Sequence, residues 1–182
     1  MKATPAAETE AAHQSQVEIK DFTGIFRDHP SGVAVVTADI GDGPVGLTAT
    51  SVISVSVNPP LLVFSLSELS SSTPTLLKAD TVVVHLLGVA DLDIARLCST
   101  SGIDRFADTT LWSRLETGEP LFGGVDRWIR ARVVQRIDAG TATVMVVEAL
   151  EVVNNTLAPE SSFAPLVYHN RTWHALGDHS AI

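Results

Sequence analysis

Hydroxyl side chains are concentrated in two segments of this 182-residue chain. In one of them, Ser70, Ser71 and Ser72 precede Thr73 and Pro74. Because Ser and Thr favour helix N-caps and Pro favours the first turn, the pattern predicts a helix with Thr73 as its N-cap. Free backbone amides, the positive end of a helix dipole and short hydroxyls together suit a single phosphate group. The alternative is a solvated turn in which Thr73 only caps the helix, which is the commoner reason for such a pattern.

The second segment is residues 48–56, where small hydroxyl residues recur along a predicted strand. The period of two in a strand places four of them on one face: Thr48, Thr50, Ser54 and Ser56. Such a face lets a flat polar heterocycle approach the backbone and form hydrogen bonds along its edge. An ordinary edge strand with a solvated Thr/Ser face is the competing interpretation, and this segment alone leaves both open.

Motifs for metal or nucleophilic chemistry are absent from the sequence. The six histidines show no HxH or HExxH spacing, and the sequence contains no GxSxG or GxxxxGK[ST] run. Residues 41–46 have GxGxxG spacing, but they form a predicted hairpin turn and the start of a strand, not the strand-to-helix turn of a dinucleotide site. The single cysteine, Cys98, excludes an intramolecular disulfide, disfavours a cysteine-built metal site and predicts a small buried apolar residue. We therefore predict no metal and no catalytic side chain, a composition that cofactor-driven hydride transfer permits.

Composition limits the remaining classes of function. Apolar residues make up 45% of the chain but form no run long enough to span a bilayer, so we expect no membrane partner. The formal charge of −9 disfavours a nucleic-acid partner. Residues 1–16 lack the order of a signal peptide, which predicts a disordered leader and a cytoplasmic location. Residues 17–182 are long enough for one domain.

The order of predicted elements favours a mainly β fold. Helices are predicted over 17–29, 74–78 and 91–99. Strands are predicted over 32–40, 45–57, 61–67, 81–87, 126–137, 141–153, 165–169 and 172–176. About seven strands with two or three inserted helices, and no regular βαβ alternation, predict an antiparallel barrel rather than a parallel sheet. The irregular stretch 100–124 is long enough to suggest a functional loop.

Several short motifs, taken in order, resemble the flavin reductase family, whose members act as small components of two-component monooxygenases. The motifs lie at 26–27, 31–37, 46–51, 54–56, 58–61, 71–73, 104–106, 112, 118–121 and 165–169. The resemblance implies a split β-barrel homodimer that holds FMN or FAD near the subunit interface. It also implies NADH or NADPH as the reductant and a flavin-dependent monooxygenase as the partner that receives reduced flavin.

Carried over by position, the family's cofactor site falls on eleven residues of this chain. The isoalloxazine ring would be lined by Thr48, Ala49, Thr50 and Ser51, with Ser65 and Leu66 beside it. The ribityl phosphate would be held by Ser71, Ser72 and Thr73, while Arg105 and Phe106 would approach from the long loop. For the last two, an ordinary loop charge and a packing anchor are the competing interpretation.

Two positions depart from the family pattern. Members that use NADH usually carry Gly-Asp-His where this chain has Gly140, Thr141 and Ala142, and His85 stands where the family often has Asn. The first departure keeps an alternative open, which is a flavin-binding split barrel that does not use nicotinamide. Such a protein would act as a flavin carrier or as a non-catalytic dimeric interaction module.

Overall fold

The computed structural model describes residues 17–155 and 163–182, so the predicted disordered leader at 1–16 lies outside the described residues. Three α-helices are present in this part of the chain: α1 (Ile19–Arg27), α2 (Thr73–Leu76) and α3 (Leu92–Ser99). The first six strands are β1 (Ser31–Gly32), β2 (Ala34–Ala38), β3 (Val45–Ala49), β4 (Ile53–Ser56), β5 (Leu61–Ser67) and β6 (Thr81–Leu86). The other six are β7 (Trp112–Arg114), β8 (Pro120–Phe122), β9 (Arg127–Ala139), β10 (Ala142–Asn154), β11 (Leu166–His169) and β12 (Thr172–Ala175).

The main sheet contains seven antiparallel strands in the order β3-β2-β6-β9-β10-β5-β4. Its two edge strands, β3 and β4, are consecutive in the chain and are separated only by residues 50–52. In a flat sheet these edges would lie about 29 Å apart at a strand spacing of about 4.8 Å. The four residue steps from Ala49 to Ile53 span at most about 14 Å. The sheet must therefore curl until its edges meet, which confirms the predicted mainly β, antiparallel barrel.

Strand β2 is buried on both faces and separates two apolar cores. Val36 packs inside the barrel with Phe64 and Met145. Val35 points the other way and packs beneath α3 and the long loop, where Phe106 is buried. Because β2 pairs with β3, this second core fixes α3 and the loop beside the end of β3.

One strand boundary differs from the prediction. The segment 45–57 is two strands, because β3 pairs with β2 while β4 pairs with β5 at the other edge of the sheet. Residues 50–52 form the corner between them, so the predicted hydroxyl face does not continue from Thr48 and Thr50 to Ser54 and Ser56. The predicted irregular stretch 100–124 also contains a short hairpin, β7 with β8.

The helix predicted after the serine cluster is present but begins differently. Ser72 is the N-cap, and Thr73 is already the first helical residue, so the prediction of Thr73 as the cap is wrong. The Ser72 hydroxyl does not cap the helix. It donates instead to the carbonyl of Gly46, 2.8 Å away, and so joins α2 to β3.

His85, the second departure from the family pattern, is a fully buried core residue. The backbone amide of Phe122 donates to its Nε2 at 3.1 Å, so the ring proton lies on Nδ1, which is 3.0 Å from the carbonyl of Val35. Burial lowers the pKa of His85 to about 4, although the bond to Val35 opposes the shift. The neutral ring therefore joins β6, β2 and β8.

Among the described residues, none of the helices has the length and apolar character needed to span a bilayer.

Candidate functional site

A cavity of about 460 Å³ lies where the two edges of the sheet meet. Its walls are the end of β3, the corner at 50–51, the outer half of β5, the end of α3 and Arg105 from the long loop. Most of the lining residues carry a hydroxyl group: Thr48, Thr50, Ser51, Ser65, Ser67, Ser70, Ser71, Ser99 and Ser101. The structure thus brings the two hydroxyl-rich segments of the sequence to the two sides of one opening.

Side-chain hydrogen bonds hold the β3 side of this cavity. The backbone amide of Ser65 donates to the hydroxyl of Ser51 at 2.9 Å, which joins the corner to β5. The Thr48 hydroxyl donates to the carbonyl of Ala95 at 2.7 Å, which joins β3 to α3. Ala49 also lines the cavity and leaves its wall free of bulky side chains. These contacts leave the edge of the corner open to a ligand.

Arg105 provides a positive charge at the serine-rich end of the cavity. Its Nη1 lies 3.4 Å from the hydroxyl oxygens of both Ser71 and Ser72, and its Nη2 donates to the carbonyl of Thr100 at 2.8 Å. Its Nε is buried and has no hydrogen-bond partner among the described residues. The guanidinium also lines the cavity, and guanidinium groups form strong, charge-assisted hydrogen bonds with anionic oxygens. This end of the cavity is therefore suited to an anion.

Four of the predicted site residues lie behind the cavity wall. The Thr73 hydroxyl donates to the carbonyl of Ser67 at 2.7 Å, and that of Ser72 is engaged with Gly46. Leu66 belongs to the barrel core, and Phe106 stacks on Phe122 with ring centroids 5.2 Å apart. These residues shape the cavity, whereas the structure brings Thr48, Ala49, Thr50, Ser51, Ser65, Ser71 and Arg105 together around it.

No carboxylate, imidazole or amine is present among the described residues that line the cavity. Cys98 is the one thiol there, and it is buried at the end of α3. Burial raises the pKa of Cys98 to about 12, although the nearby Arg105 acts in the opposite direction. The thiol is therefore protonated at neutral pH and is not a nucleophile. The arrangement is built to bind and orient a ligand, and it offers no side chain for proton transfer.

Part of the cavity wall was not predicted from the sequence. The end of α3 and the loop after it contribute Cys98, Ser99, Ser101 and Gly102. Residues 99–101 form a third, shorter hydroxyl-rich run, which is the only signal in the sequence that points to this part of the wall. Leu47, Ser67 and Leu69 were also missed, although they lie within two residues of predicted site residues, whereas Ser70 belongs to the predicted serine cluster.

The family comparison agrees with this geometry. Residues 26–177 match the model of the flavin reductase like domain, which covers most of the chain. The chain belongs to this family. The match confirms the resemblance seen in the sequence motifs.

Individual relatives of the flavin reductase family carry more specific names. The chain is 45% identical over 149 residues to an NADH:FMN oxidoreductase of Rhodococcus qingshengii, covering 82% of this chain and 77% of that protein. It is 32% identical over 130 residues to the reductase component of a flavin-dependent trigonelline monooxygenase of Acinetobacter baylyi. That match covers 71% of this chain and 42% of the other protein. A flavin reductase domain protein of Arthrobacter sp. FB24 has a similar structure, with a TM-score of 0.78 and 29% sequence identity. The superposition covers 86% of this chain and 94% of that one.

The departure from the Gly-Asp-His pattern of the family lies beside the cavity. Ala142 is the pairing partner of Ser67, which lines the cavity, and the carbonyl of Thr141 accepts a hydrogen bond from the amide of Glu68 at 3.1 Å. An aspartate and a histidine at these two positions would stand at its rim. This chain presents a hydroxyl and a methyl group there instead.

Proposed function

We propose that this protein is an NAD(P)H:flavin oxidoreductase that reduces FMN or FAD. The observation that carries the proposal is the hydroxyl-lined cavity with the guanidinium of Arg105 at one end. The 45% identity to an NADH:FMN oxidoreductase supports the same activity. The volume of about 460 Å³ falls in the range of small-molecule sites.

The residues at the cavity fit a flavin from one end to the other. The backbone and hydroxyls of Thr48, Thr50 and Ser51, with Ser65 across the gap, suit the polar edge of the isoalloxazine ring. Ser71 and Arg105 suit the phosphate, since a guanidinium forms strong, charge-assisted hydrogen bonds with phosphate oxygens. A flavin supplies the redox chemistry, because its ring accepts a hydride from a reduced nicotinamide.

The chain's own contribution is to position the reactants. Donors on a rigid strand end hold one ring edge in place, and the open side leaves room for a second planar ring above it. A direct hydride transfer needs no general acid or base from the protein, which agrees with the absence of such groups among the described lining residues. Ser72, Thr73, Leu66 and Phe106 act indirectly in this proposal, by fixing the cavity wall.

We further propose that the protein is a homodimer that delivers reduced flavin to a monooxygenase. The monooxygenase partner is supported by relatives that are reductase components of such systems. The dimer is supported by the edge strand β4 and the residue after it, where Ile53, Val55 and Val57 are 59%, 51% and 91% exposed. Because β4 directly follows the corner at 50–52, an interface there would lie close to the flavin.

Steady-state NADH oxidation with added FMN tests the activity. We expect turnover well above the rate of NADH with free FMN, and anaerobic bleaching of the flavin absorbance on addition of NADH. A rate equal to the free-flavin background, with NADPH as well as NADH, would contradict the proposal. Light scattering after gel filtration tests the dimer, and a V57D variant is expected to shift the mass towards the monomer.

One observation favours a second function, a flavin carrier that does not use nicotinamide. Thr141 and Ala142 replace the family's Asp and His at the rim of the cavity. A carrier would bind FMN and be reduced by dithionite, but not by NADH or NADPH. The same spectroscopic titration therefore separates the two functions.

A further inference from the structure

The positive charge of Arg105 is carried by an irregular part of the chain. Arg105 lies within residues 100–111, which connect α3 to β7. A long, flexible side chain on such a connection loses conformational entropy when it binds an anion, and the loss is smaller when the backbone beneath it is already fixed. A residue that fixes the backbone at Arg105 would therefore strengthen phosphate binding without touching the ligand.

Trp112 makes a contact of this kind. Its indole Nε1 donates to the carbonyl of Phe106 at 3.0 Å, on the residue directly after Arg105. The Trp112 ring also packs edge-on against the Phe106 ring, with centroids 5.2 Å apart and an interplanar angle of 88°. Trp112 is one of the motif positions on which the family resemblance rests, yet it is not among the described residues that line the cavity. The hydrogen bond and the ring contact fix the chain at the point from which the Arg105 side chain extends.

Trp112 is itself joined to the barrel through the β7–β8 hairpin. It pairs with Phe122 across this hairpin, and the Phe122 ring stacks on that of Phe106 with centroids 5.2 Å apart and an interplanar angle of 25°. The backbone amide of Phe122 donates to the buried His85. Phe106 is thus held by both members of one cross-strand pair, and that pair is anchored in the protein core.

Arg114, two residues further along β7, also contacts the indole. Its guanidinium carbon lies 5.5 Å from the centroid of the Trp112 ring, a cation–π distance. The same guanidinium donates to the carbonyl of Gly118 at 2.7 Å and to the carboxylate of Asp39 at 2.5 Å. The Asp39 side chain is only 5% exposed. These bonds join the hairpin to the turn after β2 and hold the indole in one orientation.

We propose that Trp112 is a positioning residue, which fixes the Arg105 guanidinium at the serine-rich end of the cavity. The inference deepens the flavin reductase function proposed above and rests on its assignment of the flavin phosphate to Arg105. The effect passes from the indole N–H to the Phe106 carbonyl and so to the backbone of Arg105. Because this guanidinium is assigned to the phosphate, Trp112 strengthens the binding of flavins that carry a phosphate and has no effect on those that lack one.

A W112F variant tests the proposal, because it removes the indole N–H and keeps an aromatic ring beside Phe106. W173F is the matched control, since Trp173 packs against the same apolar core as Trp112 but lies on β12. Flavin fluorescence gives the dissociation constants of FMN and of riboflavin, which has no phosphate, and urea denaturation gives the stability of each variant. R105Q and R105Q/W112F complete a double-mutant cycle.

We expect W112F to bind FMN about three- to tenfold more weakly than wild type, the effect of one neutral hydrogen bond. Its affinity for riboflavin, and both affinities of W173F, should stay unchanged. In the R105Q background W112F should have no further effect on FMN, because the group that Trp112 positions is gone. Equal losses for the two flavins, an unchanged affinity for FMN, or the same loss in the R105Q background would each overturn the proposal.

R114Q provides a second test if W112F does not fold. It removes the cation–π contact with the indole, so the preference for FMN over riboflavin should fall about two- to fivefold. An unchanged preference in R114Q would then overturn the proposal.

The single R105Q variant separates this inference from the proposed function. If R105Q weakens FMN alone and W112F weakens neither flavin, the positioning role is refuted and the flavin site stands. If R105Q affects both flavins equally, the assignment of the phosphate to Arg105 is refuted, and the positioning role with it. All of these are binding measurements, so they do not depend on NADH turnover.

Discussion

The hydroxyl of Ser51 takes the place of a backbone carbonyl opposite Ser65. Strand β4 pairs with β5 up to Ile53 and Val63, and the same register would place residue 51 opposite residue 65. The chain has already turned into the corner at 50–52, and the Ser51 side chain accepts the hydrogen bond from the Ser65 amide at 2.9 Å. The barrel seam is thereby joined by a side chain, and the space left open beside it is part of the cavity.

Replacing Ser51 with alanine should therefore affect both the seam and the ligand. The Ser65 amide loses its acceptor, but this hydrogen bond is exposed and water can replace it, so we expect the free energy of unfolding to fall by only about 0.5 to 1 kcal/mol. The affinity for FMN should fall several-fold, because the corner is no longer held against β5. Urea denaturation and fluorescence titration with FMN measure the two effects.

Ser54→Ala on β4 is the matched control for this variant, since Ser54 is exposed and does not line the cavity. It should leave the affinity for FMN unchanged. Equal losses of affinity in the two variants would show that the seam contact has no special role.

Arg105 should distinguish flavins that carry a phosphate from those that do not. In Arg105→Gln the cavity loses its guanidinium, and we expect FMN to bind about tenfold more weakly or worse. Riboflavin has no phosphate, so its affinity should change little. The ratio of the two dissociation constants provides an internal control. A parallel loss for both flavins would place the phosphate away from Arg105.

The barrel could be predicted from the sequence because its strands carry strong local signals. Residues 61–67 are predicted as a strand with the observed bounds, since a short, mostly apolar run lies there between clear turns. The corner at 50–52 carries no such signal. Its residues are ordinary strand formers, and the break arises only because the two halves of the segment pair with strands at opposite edges of the sheet.

The site was predicted only in part for the same reason. The segments at 48–51 and 70–73 are dense in hydroxyls, and their proximity follows once the barrel closes. Which hydroxyls face the cavity depends on packing between distant segments. The Ser72 and Thr73 hydroxyls are used by the carbonyls of Gly46 and Ser67, and no local pattern indicates this. The residues that the end of α3 adds to the cavity wall likewise depend on distant packing, because the apolar core beneath α3 holds the helix against β3.

The two family positions at the cavity rim can be restored. A T141D/A142H variant places a carboxylate and an imidazole beside Ser67, where they can form hydrogen bonds with a nicotinamide nucleotide. We expect kcat/KM for NADH to rise by about tenfold, the value of one good hydrogen bond to a charged group. T141N/A142Q, which has similar shape without charge or imidazole, is the control. No gain over that control would show that these positions do not serve nicotinamide use in this chain.

The buried His85 should make stability depend on pH. Its pKa is about 4 in the folded protein and 6.5 in the unfolded chain, so between these values the unfolded state binds more protons. The contribution of His85 to the free energy of unfolding should therefore be greatest above pH 6.5. It should fall by up to about 3 kcal/mol as the pH drops to 4. Below pH 4 this contribution no longer changes.

His85→Asn removes the titrating group and isolates its effect. Denaturation of both proteins at a series of pH values gives the two profiles, and wild type should lose up to about 3 kcal/mol relative to the variant as the pH falls from 6.5 to 4. Parallel profiles across that interval would mean that His85 can ionise within the fold.

A crystal structure of the protein with FMN tests the central claim most directly. We predict that the isoalloxazine ring lies against residues 48–51 and Ser65, with the flavin phosphate within hydrogen-bond distance of Ser71 and of the Arg105 guanidinium. Flavin bound elsewhere, or crystals that remain colourless in saturating FMN with the cavity filled by the protein's own side chains, would contradict the account.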